Sequence, residues 1–120
     1  MSPEGRAVAV IDDDVAVCDS TRFLLEAHDF GVRTYQSGAD FLDDDPDVVC
    51  IIVDYQMPGL NGLDLVSELQ KRGSKVPTIM ITATTDPTVA RRAAGLGIRR
   101  VLQKPLSNQV LLGAIREELP

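Results

Sequence analysis

Five side chains suited to phosphoryl or cation chemistry stand at the ends of short apolar runs: Asp12, Asp13, Asp54, Thr82 and Lys104. Val48 to Val53 is a run of six apolar residues that stops at the lone carboxylate of Asp54, and Met57-Pro58-Gly59 follows as a turn that cannot continue a strand. Ala7 to Ile11 likewise ends in Asp12-Asp13-Asp14, and Val76 to Thr82 ends in a hydroxyl. Ile98 to Leu102 leads into Gln103-Lys104-Pro105. If these ends meet, three carboxylates about 6 Å apart repel by roughly 3 kcal/mol per pair at an effective dielectric near 20. Such a cluster raises a pKa or binds a cation, and an all-oxygen ligand set with few protein contacts suits Mg²⁺ or Mn²⁺. An Asp carboxylate can also act as a nucleophile and form an aspartyl phosphate, whose oxygens need cations and hydrogen-bond donors around them. Lys104 and the Thr82 hydroxyl would supply these. The bland alternative is that Asp54 only caps the turn after it.

The elements that must position these residues alternate along the chain. A helix over residues 14–28 carries Val17, Thr21, Leu24 and His28 on one stripe, with Leu25 beside them. Residues 30–35 alternate after a Gly turn and predict a strand. Ser37 with Asp40 resembles a capping box for a short helix that turns Phe41 and Leu42 inward, and Asp43-Asp44-Asp45-Pro46-Asp47 predicts a solvated loop. Leu63, Leu65, Val66 and Leu69 mark a helix that stops near Gly73. Asp86-Pro87 begins another, ending at Gly95-Leu96-Gly97. Ser107 caps a last helix with Val110, Leu111, Ile115 and Leu119 roughly on one face. Five strands alternating with five helices predict an α/β, flavodoxin-like (βα)5 fold with a doubly wound parallel sheet in the order 2-1-3-4-5. In that order the Asp54 strand lies between the strand ending in Asp12-Asp13 and the strand ending in Thr82, with neighbours about 4.8 Å apart.

Composition narrows the function. The 120 residues suit one domain over 1–120, and a net charge of −6 argues against direct nucleic-acid binding by this chain. Arg91-Arg92 and Arg99-Arg100 form the one basic patch, read as solvated surface or a partner-docking edge. No apolar run is long enough for a membrane span, and residues 1–6 carry no signal-peptide core, so a cytoplasmic location is expected. Cys18 and Cys50 have no metal-ligand spacing and fit free, buried thiols in a reducing compartment. His28 is the only histidine, which excludes a His-based triad; it fits packing or a contact at a helix end.

The chain resembles the receiver domains of two-component response regulators. The resemblance rests on Val-Ile-Asp-Asp-Asp at 10–14, Ile-Val-Asp-Tyr-Gln-Met-Pro-Gly-Leu-Asn-Gly at 52–62, Met-Ile-Thr-Ala at 80–83 and Lys104-Pro105, in that order through essentially the whole chain. Ser20, Leu24-Leu25, Phe30-Gly31, Ser37 and Phe41-Leu42 look most like the FixJ-type branch. The resemblance implies that Asp54 accepts a phosphoryl group from a histidine kinase or phosphotransfer protein. It also implies that Asp13 binds Mg²⁺ directly, Asp12 mainly through water, and Gln56 through its backbone carbonyl. Thr82 and Lys104 would contact the phosphoryl oxygens, Lys104-Pro105 would be a cis peptide, and the small Ala83 would leave room for the donor. Asp14 is assigned to the first helical turn rather than to the metal. Such a domain is a switch rather than a turnover enzyme. It is often joined to an output domain, and phosphorylation can drive homodimerisation.

Two departures from the family pattern matter. Val101 stands three residues before Lys104, where the family usually has an aromatic that follows the Thr hydroxyl. Arg99-Arg100 make this edge unusually basic, and Leu106 follows Pro105 in place of the commoner Phe. The expectation is that the phosphorylation chemistry survives while another readout, a helix 4 or loop shift, replaces the aromatic switch. A stripe of Val15, Cys18 and Arg22 is expected on the surface near Asp54, where helices of a kinase would pack. Haloacid-dehalogenase-type phosphatases are the rival from another class, but they need a second Asp where this chain has Gln56. A non-switching interaction module that is never phosphorylated is the other.

Overall fold

A computed structural model describes residues 7–119, so the polar segment 1–6 lies outside the described residues. Strands and helices alternate without exception: β1 (Ala7–Ile11), α1 (Val15–Ala27), β2 (Gly31–Tyr35), α2 (Gly38–Asp44), β3 (Cys50–Asp54), α3 (Gly62–Lys71), β4 (Thr78–Thr82), α4 (Pro87–Gly95), β5 (Arg100–Gln103) and α5 (Asn108–Glu118). All pairings are parallel and the sheet order is β2-β1-β3-β4-β5, as the alternation predicts.

Successive strand side chains point to opposite faces, which divides the core into two layers. Val8, Val10, Cys50, Ile52 and Ile79 pack under α1 and α5 against Cys18, Leu25, Leu111 and Ile115. Ala7, Ala9, Ile11, Ile51, Val53 and Met80 pack under α2, α3 and α4 against Phe41, Leu63, Leu65 and Val89. β1 and β3 are buried along their whole length, which is why they read as unbroken apolar runs rather than alternating ones.

The caps mostly follow the sequence signals. Asp14 is the N-cap of α1, one residue before the first turn, and its Oδ1 accepts from the Ala16 N–H at 2.9 Å. Asp86 caps α4, with Pro87 at the first helical position, and Ser107 caps α5. Ser37 caps α2 by accepting from the Asp40 N–H. The reciprocal capping box belongs instead to α3, where Asn61 and Asp64 each bond the other's backbone.

Several expectations are corrected. The strands are shorter than the apolar runs: β3 begins at Cys50, β4 at Thr78 after Pro77, and β5 at Arg100. Val48 and Ile98 are buried outside the ladder. Asp43 and Asp44 belong to α2 rather than to a loop, and Tyr35 Oη donates to the Asp44 carboxylate. The turn before β2 is made by Asp29, with φ +68°, and Gly31 is already the first residue of the strand. In α1 the inward residues are Cys18 and Leu25, a seven-residue seam; Val17, Thr21 and Leu24 are half-buried flanks and His28 is exposed. His28 Nδ1 meets Arg116 Nη2 at 3.5 Å at the helix end. In α5 Leu111, Leu112, Ala114 and Ile115 turn inward while Val110 is exposed. Both helices lie across a twisted sheet, so the face they bury is set by the crossing angle as well as by sequence period.

Candidate functional site

The sheet brings four strand ends to one edge. Register pairs Ile11 with Val53, so Asp12 and Asp13 leave β1 beside Asp54, the last residue of β3. Asp54 pairs with Ile81, which places Thr82 one residue further along β4. Thr82 pairs with Gln103, so Lys104 leaves β5 one residue later, and its backbone N–H donates to the Thr82 carbonyl at 2.9 Å. Carboxylate oxygens of Asp12, Asp13 and Asp54 all lie within 4.8 Å of one another. No other such acidic group occurs among the described residues. The Lys104 ammonium reaches Asp54 Oδ2 at 3.4 Å.

Asp12, Asp54 and Thr82 are the buried polar residues of the site, while Asp13 faces solvent. Burial raises the Asp12 pKa; the Asp14 N–H bonded to its Oδ1 at 2.9 Å opposes this, and the charge of Asp54 adds to it. Asp54 Oδ1 is buried with no hydrogen-bond partner, a position that costs about 1–3 kcal/mol unless another group satisfies it. A hard cation does so, since carboxylate oxygens are its preferred ligands and three converge here. The donor set therefore fits a divalent cation on the exposed Asp13 side. Gln56, exposed in the loop after β3, sits two residues past Asp54. At that position it leaves the rival phosphatase chemistry without its second acid.

The loop that carries Gln56 is shaped by glycines. Gly59 has φ +76°, a conformation that side-chain-bearing residues rarely adopt. Gly62 starts α3 so close to the end of β3 that a Cβ there would lie 3.1 Å from the Asp54 carbonyl oxygen. Its N–H donates to the Tyr55 carbonyl, and this tie anchors the strand end. Lys104-Pro105 is cis, as the resemblance implies.

Residues 8–116 match the family model of the response regulator receiver domain. The chain belongs to this family. It is 40% identical over 119 residues to the transcriptional regulatory protein FixJ of Azorhizobium caulinodans, covering 98% of this chain and 56% of that protein. It is 39% identical over 114 residues to the transcriptional regulatory protein TdiR of Thauera aromatica, covering 93% of this chain and 50% of that protein. Full-length FixJ from B. japonicum superposes with a TM-score of 0.85 at 34% identity, over 94% of this chain and 57% of that one. These similarities place the receiver domain in the FixJ-type branch. The chain spans about half the length of the curated relatives it matches. The acidic pocket of Asp12, Asp13 and Asp54 fits the phosphoacceptor chemistry general to receiver domains.

The expected docking stripe is partly overturned. Cys18 is buried, its thiol 3.3 Å from the Asp12 carbonyl, so it cannot meet a partner. Arg22 is half-buried, with Nη2 3.0 Å from Thr34 Oγ1. Val15 remains exposed, and the sequence reading missed Phe23, which is 78% exposed. Phe23 borders a groove of about 760 Å³ between α1 and α5 that runs from Leu24 and Leu111 to Asp12 and Lys104. An aromatic off the inward seam of an amphipathic helix was the available signal. Sequence reading also missed Thr84, whose N–H donates to Thr82 Oγ1 at 3.0 Å, and Gln103, whose side chain reaches Thr84.

At the basic edge, Arg91, Arg92 and Arg99 are exposed, whereas Arg100 pairs with Glu117 and, at 3.0 Å, with Glu118. Val101 lies half-buried beside a half-open pocket of about 200 Å³ at the β4–α4 loop, bordered also by Thr82, Thr84 and Val89. Cys18 and Cys50 are free and buried, and burial pushes the Cys50 thiol up to about 12. Among the described residues, no helix is long and apolar enough to cross a membrane.

Proposed function

We propose that the chain is one receiver domain over residues 1–120 in which Asp54 accepts a phosphoryl group from a sensor histidine kinase or phosphotransfer protein. One observation carries this reading: a buried carboxylate with one oxygen beside Lys104 and the other unpartnered, facing two further acids. An Asp54 oxygen attacks phosphorus of the donor phosphohistidine, the P–N bond breaks, and the released imidazole nitrogen keeps the electron pair and takes up a proton from water. Asp12, Asp13, Asp54 and the Gln56 backbone carbonyl would hold Mg²⁺, Asp13 directly and Asp12 mainly through water. The cation supplies charge that offsets the phosphoryl oxygens and the acidic cluster. Lys104 and the Thr82 hydroxyl hold the remaining oxygens in place.

The donor's helices pack in the α1–α5 groove against Phe23, because that groove opens beside Asp12 and Lys104, and the exposed Val15 on α1 extends the docking surface. The domain acts as a cytoplasmic switch with slow self-dephosphorylation rather than as a turnover enzyme. It signals to an output domain or downstream protein, or through a phosphorylation-dependent homodimer, without itself binding nucleic acid or membrane. With Val101 in place of an aromatic, the signal leaves through the β4–α4 loop and α4.

Intact-mass spectrometry after incubation with acetyl phosphate and Mg²⁺ tests the reading. The protein is expected to gain one phosphoryl group that hydroxylamine removes, and Asp54→Asn to gain none. Absence of labelling in the unaltered protein, or equal labelling of the variant, would overturn it.

A further inference from the structure

The hydrogen-bond pattern around Thr82 contains a part that the five site residues do not explain. Thr82 Oγ1 accepts from the Thr84 N–H at 3.0 Å, and Thr84 Oγ1 in turn accepts from the Asp86 N–H at 3.1 Å, just where Asp86 caps α4. A threonine hydroxyl has one proton to give and lone pairs to accept with. When a backbone N–H occupies a lone pair, the proton is left to donate elsewhere. Phosphoryl oxygens accept and do not donate, so this is the orientation that phosphoryl transfer to Asp54 requires.

The tie from the neighbouring strand that holds the Thr84 carbonyl is a side chain, that of Gln103. Gln103 is the register partner of Thr82, so both side chains project from the same face of the sheet. Its Nε2 donates to the Thr84 carbonyl at 3.0 Å, so both the N–H and the C=O of Thr84 are anchored. Close packing does not do this job on that side, because Thr84, Val101 and Gln103 itself border a half-open pocket of about 200 Å³. Nor does the sheet depend on Gln103: the strands are already joined by their ladder and by the Lys104 N–H on the Thr82 carbonyl.

We propose that Gln103 is a positioning residue for phosphoryl transfer, its amide pinning Thr84 so that the Thr82 hydroxyl presents its proton to the phosphoryl group. The inference rests on the reading of Asp54 as phosphoacceptor. Because Gln103 is exposed and outside the site itself, its loss is expected to leave the fold intact.

The test compares the unaltered chain with Gln103→Met, similar in length but without a donor, and Gln103→Lys, which restores one. Phosphorylation rate with acetyl phosphate and Mg²⁺ is read beside the Thr84 amide proton shift by NMR. The Met variant is expected to lose about two- to tenfold in rate, the worth of one net hydrogen bond, and to move the Thr84 amide resonance. The Lys variant is expected to recover both, with thermal melting unchanged in either. A Met variant at the unaltered rate would overturn the proposal, as would a Lys variant that restores the amide shift but not the rate. If the unaltered chain takes no phosphoryl group, the phosphoacceptor reading fails instead, and the two outcomes are thereby distinct.

Discussion

Lys104 Nζ stands 3.4 Å from Asp54 Oδ2, while Asp54 Oδ1 is buried without a hydrogen-bond partner. The two oxygens of one carboxylate are thus unequal: one has the Lys104 ammonium beside it and the other has no partner in the protein. Lys104→Gln removes the charge but keeps most of the stem. It is expected to slow phosphoryl transfer about 10²–10³-fold, as loss of a preorganised charge-stabilising donor does. Single-turnover labelling with acetyl phosphate measures this, and a loss under about threefold would show that Lys104 does not act on the transferring group.

Asp12 gives a stability prediction with a definite sign. Its pKa is raised in the fold, first by burial, so between its ordinary value of 3.8 and the raised one the folded state binds more protons than the unfolded. Stability therefore falls as pH rises through that window and stays reduced above it. Asp12→Asn is expected to melt higher than the unaltered chain at pH 7 in chelator, while losing the stabilisation that Mg²⁺ brings. Excess Mg²⁺ should stabilise the unaltered chain by about 2.7 kcal/mol at one hundred times its dissociation constant. Paired thermal melts at low and neutral pH, with and without Mg²⁺, decide the matter.

Phe23 separates donor docking from chemistry. Phe23→Glu places a charge at the rim of the α1–α5 groove without touching Asp54. Transfer from a phosphorylated kinase is expected to slow at least tenfold, roughly the loss of an interface anchor worth more than 1.4 kcal/mol, with labelling by acetyl phosphate unchanged. Parallel slowing of both would place the effect in the site rather than in docking.

The pocket beside Val101 predicts that the missing aromatic can be put back. Val101→Phe is expected to fill part of the space and raise unfolding free energy by about 0.5–2 kcal/mol in urea titrations. A destabilised variant would mean that the β4–α4 loop cannot accommodate the ring.

Gly62 predicts the opposite response to added bulk. A Cβ there meets backbone at 3.1 Å on both the Asp54 carbonyl oxygen and the Tyr55 Cα, neither of which can rotate away. Gly62→Ala is expected to cost about 1–3 kcal/mol by chemical denaturation and to weaken Mg²⁺ binding, since the strand end carrying Asp54 must shift. A variant as stable as the unaltered chain would show that α3 can move off the strand.

Much of this molecule is legible in the chain because its signals are local. Buried parallel strands read as unbroken apolar runs, and Asp14, Asp86 and Ser107 announce helix starts by the chemistry of capping. Alternation of those elements leads to the sheet order, and the order alone brings Asp12, Asp13, Asp54, Thr82 and Lys104 to one edge. Which face a helix buries is another matter. The thiol chemistry of Cys18 points to burial while its place in the Val15-Cys18-Arg22 stripe points to the surface, and the packing of α1 on the sheet decides for burial. Val110 shares a sequence stripe with Leu111 and Ile115 yet is exposed, since packing against a curved surface selects the seam. The hydrogen bonds that orient Thr82 likewise lie beyond sequence, because Gln103 and Thr84 are nineteen residues apart and meet only through the β4–β5 register. Residue types and order determined that the strand-end carboxylate of Asp54 would sit among acids, a hydroxyl and an ammonium. Tertiary structure alone decided that one Asp54 oxygen has no partner and that α1 leaves Phe23 exposed, because burial and crossing angle are properties of the assembled layers.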